Sequence, residues 1–476
     1  MRSDVLIVGA GSAGSVLAER LSADPSCAVT VVESGPGPTD PEVRAQISDG
    51  LRLPIGTASS VVRRYPSTLT VDPPRHAQLM RGAVVGGSGA VNGGYFCRGL
   101  PADFDGWGLP EWTWPEVLPH FRAIETDLDF ASAVHGSDGP ILIRRVAEFD
   151  GCTASFVQAA TAAGYPWIDD LNGSMRDEPS GSGVGAVPLN IHRGTRLGPG
   201  GAYLRPAIDR PNLTLLAHTR VLRIRMSGGR AVGVECVGAE GITELCADRI
   251  VLCAGAIGSA HLLMLSGVGP QNVLAAADIP VVVDLPVGTA TSDHPELVLP
   301  VNWAETHGSP PLEAVLTTAD PVEIRPYTAG FGAMVSGRRD DPADHPHIGV
   351  ALMRPKSRGR VRVVAADPDT LPVIEHRYDS EPDDVAKLRA GADLARELVS
   401  ATTQVGPVAW STSQHLSGTA PMGADTDDAA VVDPRCRVRG VDGLWVVDGA
   451  VLPAIPSRGP HATIVMLAHR AAGFVV

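Results

Sequence analysis

The chain has 476 residues, of which 44% are hydrophobic and 19% charged, and its formal net charge is −14. This length exceeds one compact core, so we expect two domains. An acidic chain without a run rich in lysine and arginine does not suit a nucleic acid, and we expect no nucleic-acid partner. The seven cysteines are odd in number and form no CxxC pair, which favours a reduced, cytoplasmic compartment over a disulfide framework or a zinc site.

The sequence shows no sign of a membrane-spanning or exported protein. No uninterrupted apolar run approaches the ~20 residues that cross a bilayer. The first predicted strand begins within four residues of Met1, so we expect no signal peptide. Peripheral membrane contact and the oligomeric state have no sequence signal, and both stay open.

The first 33 residues have the pattern of a dinucleotide-binding βαβ unit. Apolar strands are predicted at 5–8 and 29–32, and a helix with apolar spacing at 15–21. The first strand runs directly into the sequence Gly9-Ala10-Gly11-Ser12-Ala13-Gly14. A strand, a glycine-rich turn, a helix and a second strand in this register predict a Rossmann-type nucleotide site.

Each glycine of this turn has a separate task in such a site. Gly9 permits the tight turn, Gly11 admits a pyrophosphate close to the backbone, and Gly14 lets the helix pack on the strand. The phosphates then lie at the positive end of the helix, beside Ser12 and Ala13.

An acidic residue ends the second strand. Glu33 follows Gly14 by nineteen residues and is placed to accept hydrogen bonds from a ribose hydroxyl pair. A carboxylate there disfavours a 2′-phosphate, so NADP is the least favoured ligand. Residues 40–76, which follow, are irregular and rich in proline and serine, and we expect a surface excursion.

A second glycine-rich stretch, residues 80–96, resembles the first motif of the glucose–methanol–choline (GMC) oxidoreductase family. The matching positions are Gly86, Gly87, Ser88, Asn92, Phe96, Gly99 and Asp105. The resemblance implies an FAD site that includes Gly86, Gly87, Ser88, Asn92 and Gly93. Ala83 departs from the family, which usually has a basic residue there. Some members attach FAD covalently through a histidine just before the motif asparagine, and Val91 stands at that position, so we predict a dissociable FAD.

The second family motif is matched by residues 255–269, which depart from it at Ala260. Before it, residues 249–254 read as a buried strand that Gly255 ends, and a helix follows. Residues 210–216, 221–224 and 231–234 are predicted to form a β-meander, with Gly228-Gly229 as a turn. The family implies a backbone contact from Val221 to adenine.

The middle of the chain matches the family less well. A motif that is usually Asn-Leu-Gln-Asp-His is degraded to Ala290-Thr291-Ser292-Asp293-His294, and we assign it no role. Residues 299–345 match poorly and are expected on the substrate side. Residues 353–363 return to the family pattern and read as a strand with one solvated face, and residues 383–399 have helical spacing.

The carboxyl-terminal block carries the expected chemistry. The family resemblance places His415 over the flavin as catalytic base and His461 beside it, and Asp448-Gly449 against the FAD pyrophosphate. Pro460 suits a helix start, so the backbone N–H of Ala462 is expected to favour negative charge on the flavin.

The residue chemistry agrees with this assignment. Alcohol oxidation needs a base for the hydroxyl proton, and imidazole has its pKa nearest neutral pH. A second imidazole can hold the substrate oxygen. The other twelve histidines, including His345 and His347, are interpreted as structural, and no third ligand of suitable spacing supports a metal site.

We therefore expect an α/β protein with a discontinuous Rossmann-type FAD domain and a smaller substrate domain on an antiparallel sheet. The FAD domain is predicted at 1–150, 195–298 and 425–476, and the substrate domain at 151–194 and 299–424. The resemblance implies hydride transfer from a CH–OH group to flavin N5. Residues 86–99 and the short length most resemble the mycofactocin-associated branch, which implies mycofactocinol as substrate and electron transfer to a respiratory acceptor. Alternatives are a choline or other primary-alcohol dehydrogenase or oxidase of the family, and an FAD-containing hydroxynitrile lyase.

Overall fold

The computed structural model describes residues 2–173, 182–304, 308–338, 341–399 and 405–475. Its strands are β1 Arg2–Val8, β2 Val29–Val32, β3 Val62–Thr70, β4 Arg75–Gly82, β5 Glu125–Asp127, β6 Ile141–Ile143, β7 Trp167–Ile168, β8 Gly183–Ala186, β9 Ile191–His192, β10 Thr195–Arg196, β11 Leu213–Leu216, β12 Arg220–Ser227, β13 Arg230–Gly238, β14 Gly241–Leu252, β15 Pro295–Pro300, β16 Ala314–Thr317, β17 Val322–Pro326, β18 His347–Leu352, β19 Arg360–Arg362, β20 Val373–Glu375, β21 Ala409–Thr412 and β22 Leu444–Val446.

The helices are α1 Ser12–Leu21, α2 Pro41–Ser48, α3 Pro101–Asp105, α4 Trp114–Ile124, α5 Gly151–Ala162, α6 Arg205–Ala207, α7 Gly255–Leu265, α8 Gln271–Ala276, α9 Phe331–Ser336, α10 Pro382–Val399 and α11 His461–Val475. Within the described ranges, none of them is both long and apolar enough to cross a bilayer.

One sheet carries the predicted nucleotide-binding unit. Its order is β11-β2-β1-β14-β13-β12, and β22 pairs with the carboxyl-terminal half of β14. The pairs of β1 with β2, β1 with β14, β2 with β11, and β14 with β22 are all parallel. Five strands therefore end at the same edge, which is where open α/β sheets bind ligands. The expected βαβ unit and α/β fold class are confirmed.

A second sheet, ordered β21-β15-β18-β17-β16-β8-β7, is antiparallel except for the pair β7–β8. Helices α5 and α10 pack on it through Phe156 and Leu388, both fully buried. This arrangement confirms the helix expected at 383–399. A smaller four-stranded sheet, ordered β19-β20-β3-β4, lies beside it.

The prediction of an irregular surface excursion over residues 40–76 was wrong. The segment contains α2, β3 and the start of β4. Asp40 caps α2 by accepting from the backbone N–H of Glu42 and Val43 at 2.9 and 3.1 Å. The capping signal and Pro41 at the first helical position were present in the sequence, but the proline and serine content obscured them.

Two further strand predictions need correction. The strand β11 is not part of the meander, because it pairs with β2 at the far edge of the sheet, and the meander consists of β12, β13 and β14. Of residues 353–363, only Arg360–Arg362 form a strand, at the edge of the four-stranded sheet. The partner of β11 is distant in sequence, and local patterns do not identify it.

Candidate active site

A single cavity of about 1090 Å³ connects the carboxyl edge of the first sheet with one face of the second. Strand ends of the first sheet contribute Gly9, Glu33 and Asp448 to its wall, and the second sheet contributes Glu296 and Arg325. The cavity is therefore long enough to place a nucleotide at one end and a small substrate at the other.

The first glycine-rich turn lies at the nucleotide end. Gly9, Gly11, Ser12 and Ala13 line the cavity. Gly9 has φ +100°, which only glycine adopts readily. Gly14 does not reach the cavity, since it packs under the turn, where a Cβ would overlap the carbonyl oxygen of Gly9. The conformation of Gly9 and the packing of Gly14 therefore fit the tasks expected of these two glycines.

The Glu33 carboxylate lines the cavity at the end of β2. Its Oε2 accepts from the backbone N–H of Ala10 at 2.9 Å, and its Oε1 accepts from Gly35 N–H at 2.8 Å. Burial raises the pKa of Glu33, and these hydrogen bonds act in the opposite direction. The carboxylate is held rigidly at the place expected to meet a ribose.

The second glycine-rich loop touches the first. A Cβ on Gly87 would lie 2.7 Å from the Cα of Gly11, so the two backbones meet without side chains between them. Gly87, Ser88 and Gly93 line the cavity, whereas Gly86 lies behind it and donates from its N–H to Ala10 O at 2.8 Å.

The remaining predicted cofactor residues also include some that line the cavity and one that does not. Val221, Asp448 and Gly449 line the cavity. Asp448 Oδ2 accepts from Gly255 N–H at 2.8 Å and Oδ1 from Ala450 N–H at 2.8 Å, and burial raises the pKa of this carboxyl to about 6. Ala462 lies in the first turn of α11, is fully buried and does not line the cavity.

The loop after β21 positions His415 on the cavity wall. Its backbone N–H donates to Asp293 Oδ1 at 2.8 Å. Its ring Nδ1 lies 2.8 Å from Nδ1 of His294. Two unprotonated nitrogens would repel, so one of the two carries a proton and donates it to the other. The Nε2 atom of His415 remains for a ligand in the cavity.

The His461 ring lies at the start of α11, edge-on to Phe96. Asn92 Oδ1 accepts from Gly94 N–H at 3.0 Å, so its Nδ2 is the donor to His461 Nδ1, 3.1 Å away. A neutral His461 therefore carries its own proton on Nε2. That buried nitrogen has no hydrogen-bond partner among the described residues.

Both imidazoles are neutral at neutral pH. Burial, together with His294 and the guanidinium groups of Arg325 and Arg81, holds the pKa of His415 well below 6.5. Burial, with a smaller effect of Arg196, lowers the pKa of His461 to about 4. Neutral His415 can accept a proton, and neutral His461 can donate a hydrogen bond.

The segment to which the sequence assigned no role supports His415. Asp293 is buried and also accepts from Tyr378 Oη and Thr412 Oγ1, each at 2.8 Å. The contact of His294 with His415 likewise goes beyond the structural interpretation given to the other histidines. The sequence did contain a signal for this role, because the Asp293-His294 pair is preserved at the end of the otherwise degraded motif.

A buried ionic network forms the substrate-side wall next to this loop, and sequence reasoning missed it. Arg325 Nη2 donates to Glu323 Oε2 at 2.9 Å, and Nη1 lies 3.3 Å from Glu296 Oε2. Arg458 Nη1 donates to Glu323 Oε1 at 3.2 Å. Alternating residues of β17 supply Glu323 and Arg325, which lie in the poorly matching region 299–345.

The residues present fit FAD. The edge of five parallel strand ends provides the nucleotide cradle, and the first-turn N–H groups of α1 face the cavity. Where the two glycine-rich segments meet the start of α11, a Cβ on Gly89 would lie 2.6 Å from both His461 Nε2 and Ser12 Oγ, so polar atoms converge where the chain has no side chain. The unpartnered Nε2 of His461 is a donor in need of a ligand acceptor.

One other cluster has the composition of a metal site: Glu125, Asp127 and His135. His135 Nδ1 lies 3.1 Å from Asp127 Oδ2, Arg145 donates to both oxygens of Asp127, and Arg98 donates to Glu125 Oε1. The carboxylates that contact His135 raise its pKa to about 10 despite burial. The cluster is therefore an ionic network in which arginine side chains and His135 already supply the positive charge that a metal ion would bring.

The comparisons identify the class of protein. The amino-terminal GMC oxidoreductase family model matches residues 3–296, and the carboxyl-terminal model matches residues 355–468. The chain belongs to the GMC oxidoreductase family and is therefore an oxidoreductase of a family that uses FAD.

Relatives match along nearly the whole chain. An uncharacterised GMC-type oxidoreductase from the thcA 5′ region of Rhodococcus erythropolis is 41% identical, covering 100% of this chain and 98% of the relative. An oxygen-dependent choline dehydrogenase of Paraburkholderia xenovorans is 33% identical, covering 98% and 93%. Among solved structures, pyridoxine 4-oxidase from Mesorbium loti superposes with a TM-score of 0.86 at 29% identity, covering 99% of this chain and 98% of that one.

Proposed function

We propose that this protein oxidises an alcohol with FAD as the hydride acceptor. The observation that carries the proposal is the pair of imidazoles in one cavity, with opposite hydrogen-bonding roles. His415 offers a nitrogen that can accept a proton, and His461 offers a ring N–H. When bound, FAD supplies the acceptor for the hydride that leaves the alcohol carbon.

His415 is the proposed base. Of the two possible positions of the shared proton, only the one on His415 Nδ1 leaves Nε2 of a neutral His415 free to accept a proton from substrate. We therefore assign the shared Nδ1 proton to His415, which leaves His415 Nε2 unprotonated toward the cavity. The substrate hydroxyl gives its proton to this atom as the C–H bond breaks, a contribution of ~10²–10⁴-fold to the rate.

His461 and the cationic side chains stabilise the oxygen that loses this proton. The N–H of His461 Nε2 donates to the substrate oxygen, and Asn92 fixes the ring orientation. The guanidinium groups of Arg325 and Arg81 line the same cavity and favour negative charge there. The same two cations disfavour a protonated His415 before substrate arrives.

The identity of the alcohol is a finer proposal. We retain mycofactocinol as one candidate, on the motif details of residues 86–99 and the length of the chain, with a respiratory acceptor for the electrons and FAD held without a covalent bond. The relative from Paraburkholderia xenovorans is named for choline and the structural relative for pyridoxine, and both support an alcohol as substrate.

The test is the visible spectrum of the purified holoenzyme under anaerobic conditions, before and after each alcohol of a panel. The panel contains reduced mycofactocin, choline, pyridoxine and simple primary alcohols. Loss of the flavin band with any of them supports alcohol oxidation. A flavin that stays oxidised with every alcohol, while the protein cleaves a cyanohydrin, would overturn the proposal in favour of the lyase.

A further inference from the structure

A carboxylate in the wall of an alcohol-binding cavity suggests a site for a cationic alcohol such as choline. Glu296 is that carboxylate here, since it lines the cavity and is 3% exposed. Whether it can bind a cation depends on what already contacts its two oxygens.

Both oxygens of Glu296 have partners within the protein. Oε1 accepts from Tyr327 Oη at 3.2 Å. Oε2 accepts from Ser413 Oγ at 2.7 Å and from Arg325 Nη1 at 3.3 Å. Arg325 is fully engaged as well, because its Nε and Nη2 donate to Glu323 Oε2 at 3.0 and 2.9 Å. The Glu296 carboxylate is therefore hydrogen-bonded to other residues of the cavity wall and does not face the cavity as an unpaired charge.

The charges of the wall balance. The network contains two carboxylates, Glu296 and Glu323, and two guanidinium groups, Arg325 and Arg458. His347, which lies on Tyr327, has its pKa lowered to about 4 by burial and adds no charge. An ammonium group entering this pocket would meet Arg325 as closely as Glu296, so it would lose its hydration without gaining a counter-ion.

The outer part of the cavity is apolar. Its lining there comes from Leu53, Ile55, Pro311, Phe331, Met334 and Val335. Phe331 is 48% exposed, which is unusual for a large apolar side chain and places it at the entrance. This lining suits the hydrocarbon body of an alcohol whose hydroxyl reaches His415.

We propose that Arg325 is a specificity-determining residue: by neutralising Glu296 it restricts the pocket to uncharged alcohols with an apolar body. The inference rests on the proposed alcohol oxidation for its choice of ligands. It separates this chain from a choline-type enzyme, although the two share every motif of the active site. Without Arg325, Glu323 keeps Arg458 as its partner and Glu296 becomes a free anion.

The test compares choline with its uncharged isostere 3,3-dimethylbutan-1-ol, which replaces the ammonium nitrogen by carbon. Dissociation constants are measured from the shift of the flavin spectrum in holoenzyme carrying His415→Asn, so that binding is separated from turnover. The holoenzyme that keeps Arg325 should bind the isostere ~10-fold or more tightly than choline. The reason is that the ammonium group of choline would lie next to the positive charge of Arg325, and a juxtaposition of like charges is costly. Arg325→Gln should reverse the preference, and Arg325→Lys should keep it.

If the holoenzyme that keeps Arg325 bound choline as tightly as the isostere, or more tightly, the inference would be overturned. This measurement needs no variant at position 325. An unchanged ratio in Arg325→Gln, with flavin content and thermal unfolding equal to those of Arg325→Lys, would overturn it as well. Failure of the proposed oxidation is recognised separately. In that case the binding ratio shifts as expected, but neither alcohol bleaches the flavin of the enzyme with His415 intact.

Discussion

At the scale of single residues, the two imidazoles of the proposed active site differ, in our assignment, in which ring nitrogen carries the proton. Asn92 assigns the proton of His461 to Nε2, and His294 accepts the Nδ1 proton of His415 in our proposal. Both rings could be predicted as functional from sequence, because each lies in a recognisable motif. Their different roles could not, because they depend on contacts across 369 and 121 residues of chain.

The pH dependence of flavin bleaching should reflect the lowered pKa of His415. The reacting form is neutral, and a pKa held well below 6.5 keeps it neutral throughout the neutral range. The bleaching rate, followed by anaerobic stopped flow, should therefore stay constant as pH falls to 6.5 and decline only below it. An acid limb centred at or above pH 6.5 would contradict this assignment.

His294 should act through His415 and not on substrate directly. Replacing it with leucine removes the acceptor of the His415 Nδ1 proton, and a lost hydrogen bond of this kind costs roughly 10-fold in rate. Removing His294 also removes a group that, once protonated, disfavours a second proton on His415, so the acid limb should move to higher pH. The measurement is the bleaching rate as a function of pH.

The matched control is His294→Asn, whose side-chain oxygen can occupy the place of Nδ1 and accept the same hydrogen bond. It should retain more of the rate than His294→Leu. A residue with a merely structural role would lower flavin content or stability in both variants and leave the acid limb where it was.

At the scale of secondary structure, the nucleotide site depends on how closely α1 packs on β1. The sequence predicted this unit, because its strand, turn and helix are contiguous. It did not predict the position of β11, which joins β2 from 180 residues away, or the hairpin of β3 and β4 within an apparently irregular segment. The position of β11 depends on a partner that is distant in sequence, which local patterning does not identify, whereas the β3–β4 hairpin is local and its strand pattern was obscured by the proline and serine content of the segment.

Gly14→Ala should weaken FAD binding by separating α1 from β1. The added Cβ would overlap the Gly9 carbonyl oxygen, and forced overpacking of this kind costs ~1–3 kcal/mol. Thermal unfolding of the apoprotein and FAD titration measure the two effects. Gly473→Ala in α11 is the matched control, since its Cβ meets no atom within 4 Å and helix propensity favours alanine by ~0.5–1 kcal/mol. Equal stability of the two variants would contradict the packing argument.

At the scale of the whole molecule, the cavity is formed by both seven-stranded sheets. The first sheet uses strands within residues 2–32, 213–252 and 444–446, and the second uses strands within residues 167–186, 295–352 and 409–412. Our proposed FAD domain at 1–150, 195–298 and 425–476 and substrate domain at 151–194 and 299–424 follow this distribution except at residue 298, where the proposed boundary falls within β15, a strand of the second sheet. The sequence analysis expects the substrate side in residues 299–345, but it could not predict the charges on the cavity wall, because Glu296, Glu323 and Arg325 carry no motif.

FAD should be released when the protein is unfolded. Val91 lines the cavity where a covalent link occurs in some family members, and its hydrocarbon side chain cannot form one. After heat or acid precipitation, the yellow colour should be in the supernatant, and FAD added to the apoprotein should raise its unfolding temperature through binding to the folded state. Flavin that stays with the pellet would contradict a dissociable cofactor.

The most direct test of the central claim is a stopped-flow comparison of three proteins with the alcohol that bleaches the flavin fastest, in its normal form and deuterated at the carbinol carbon. The wild type should bleach more slowly with the deuterated alcohol, because the C–H bond breaks in the measured step. His415→Asn should be slower by ~10²–10⁴-fold with FAD still bound, and the surface variant His76→Asn should match the wild type. Bleaching of His415→Asn at the wild-type rate would contradict the account.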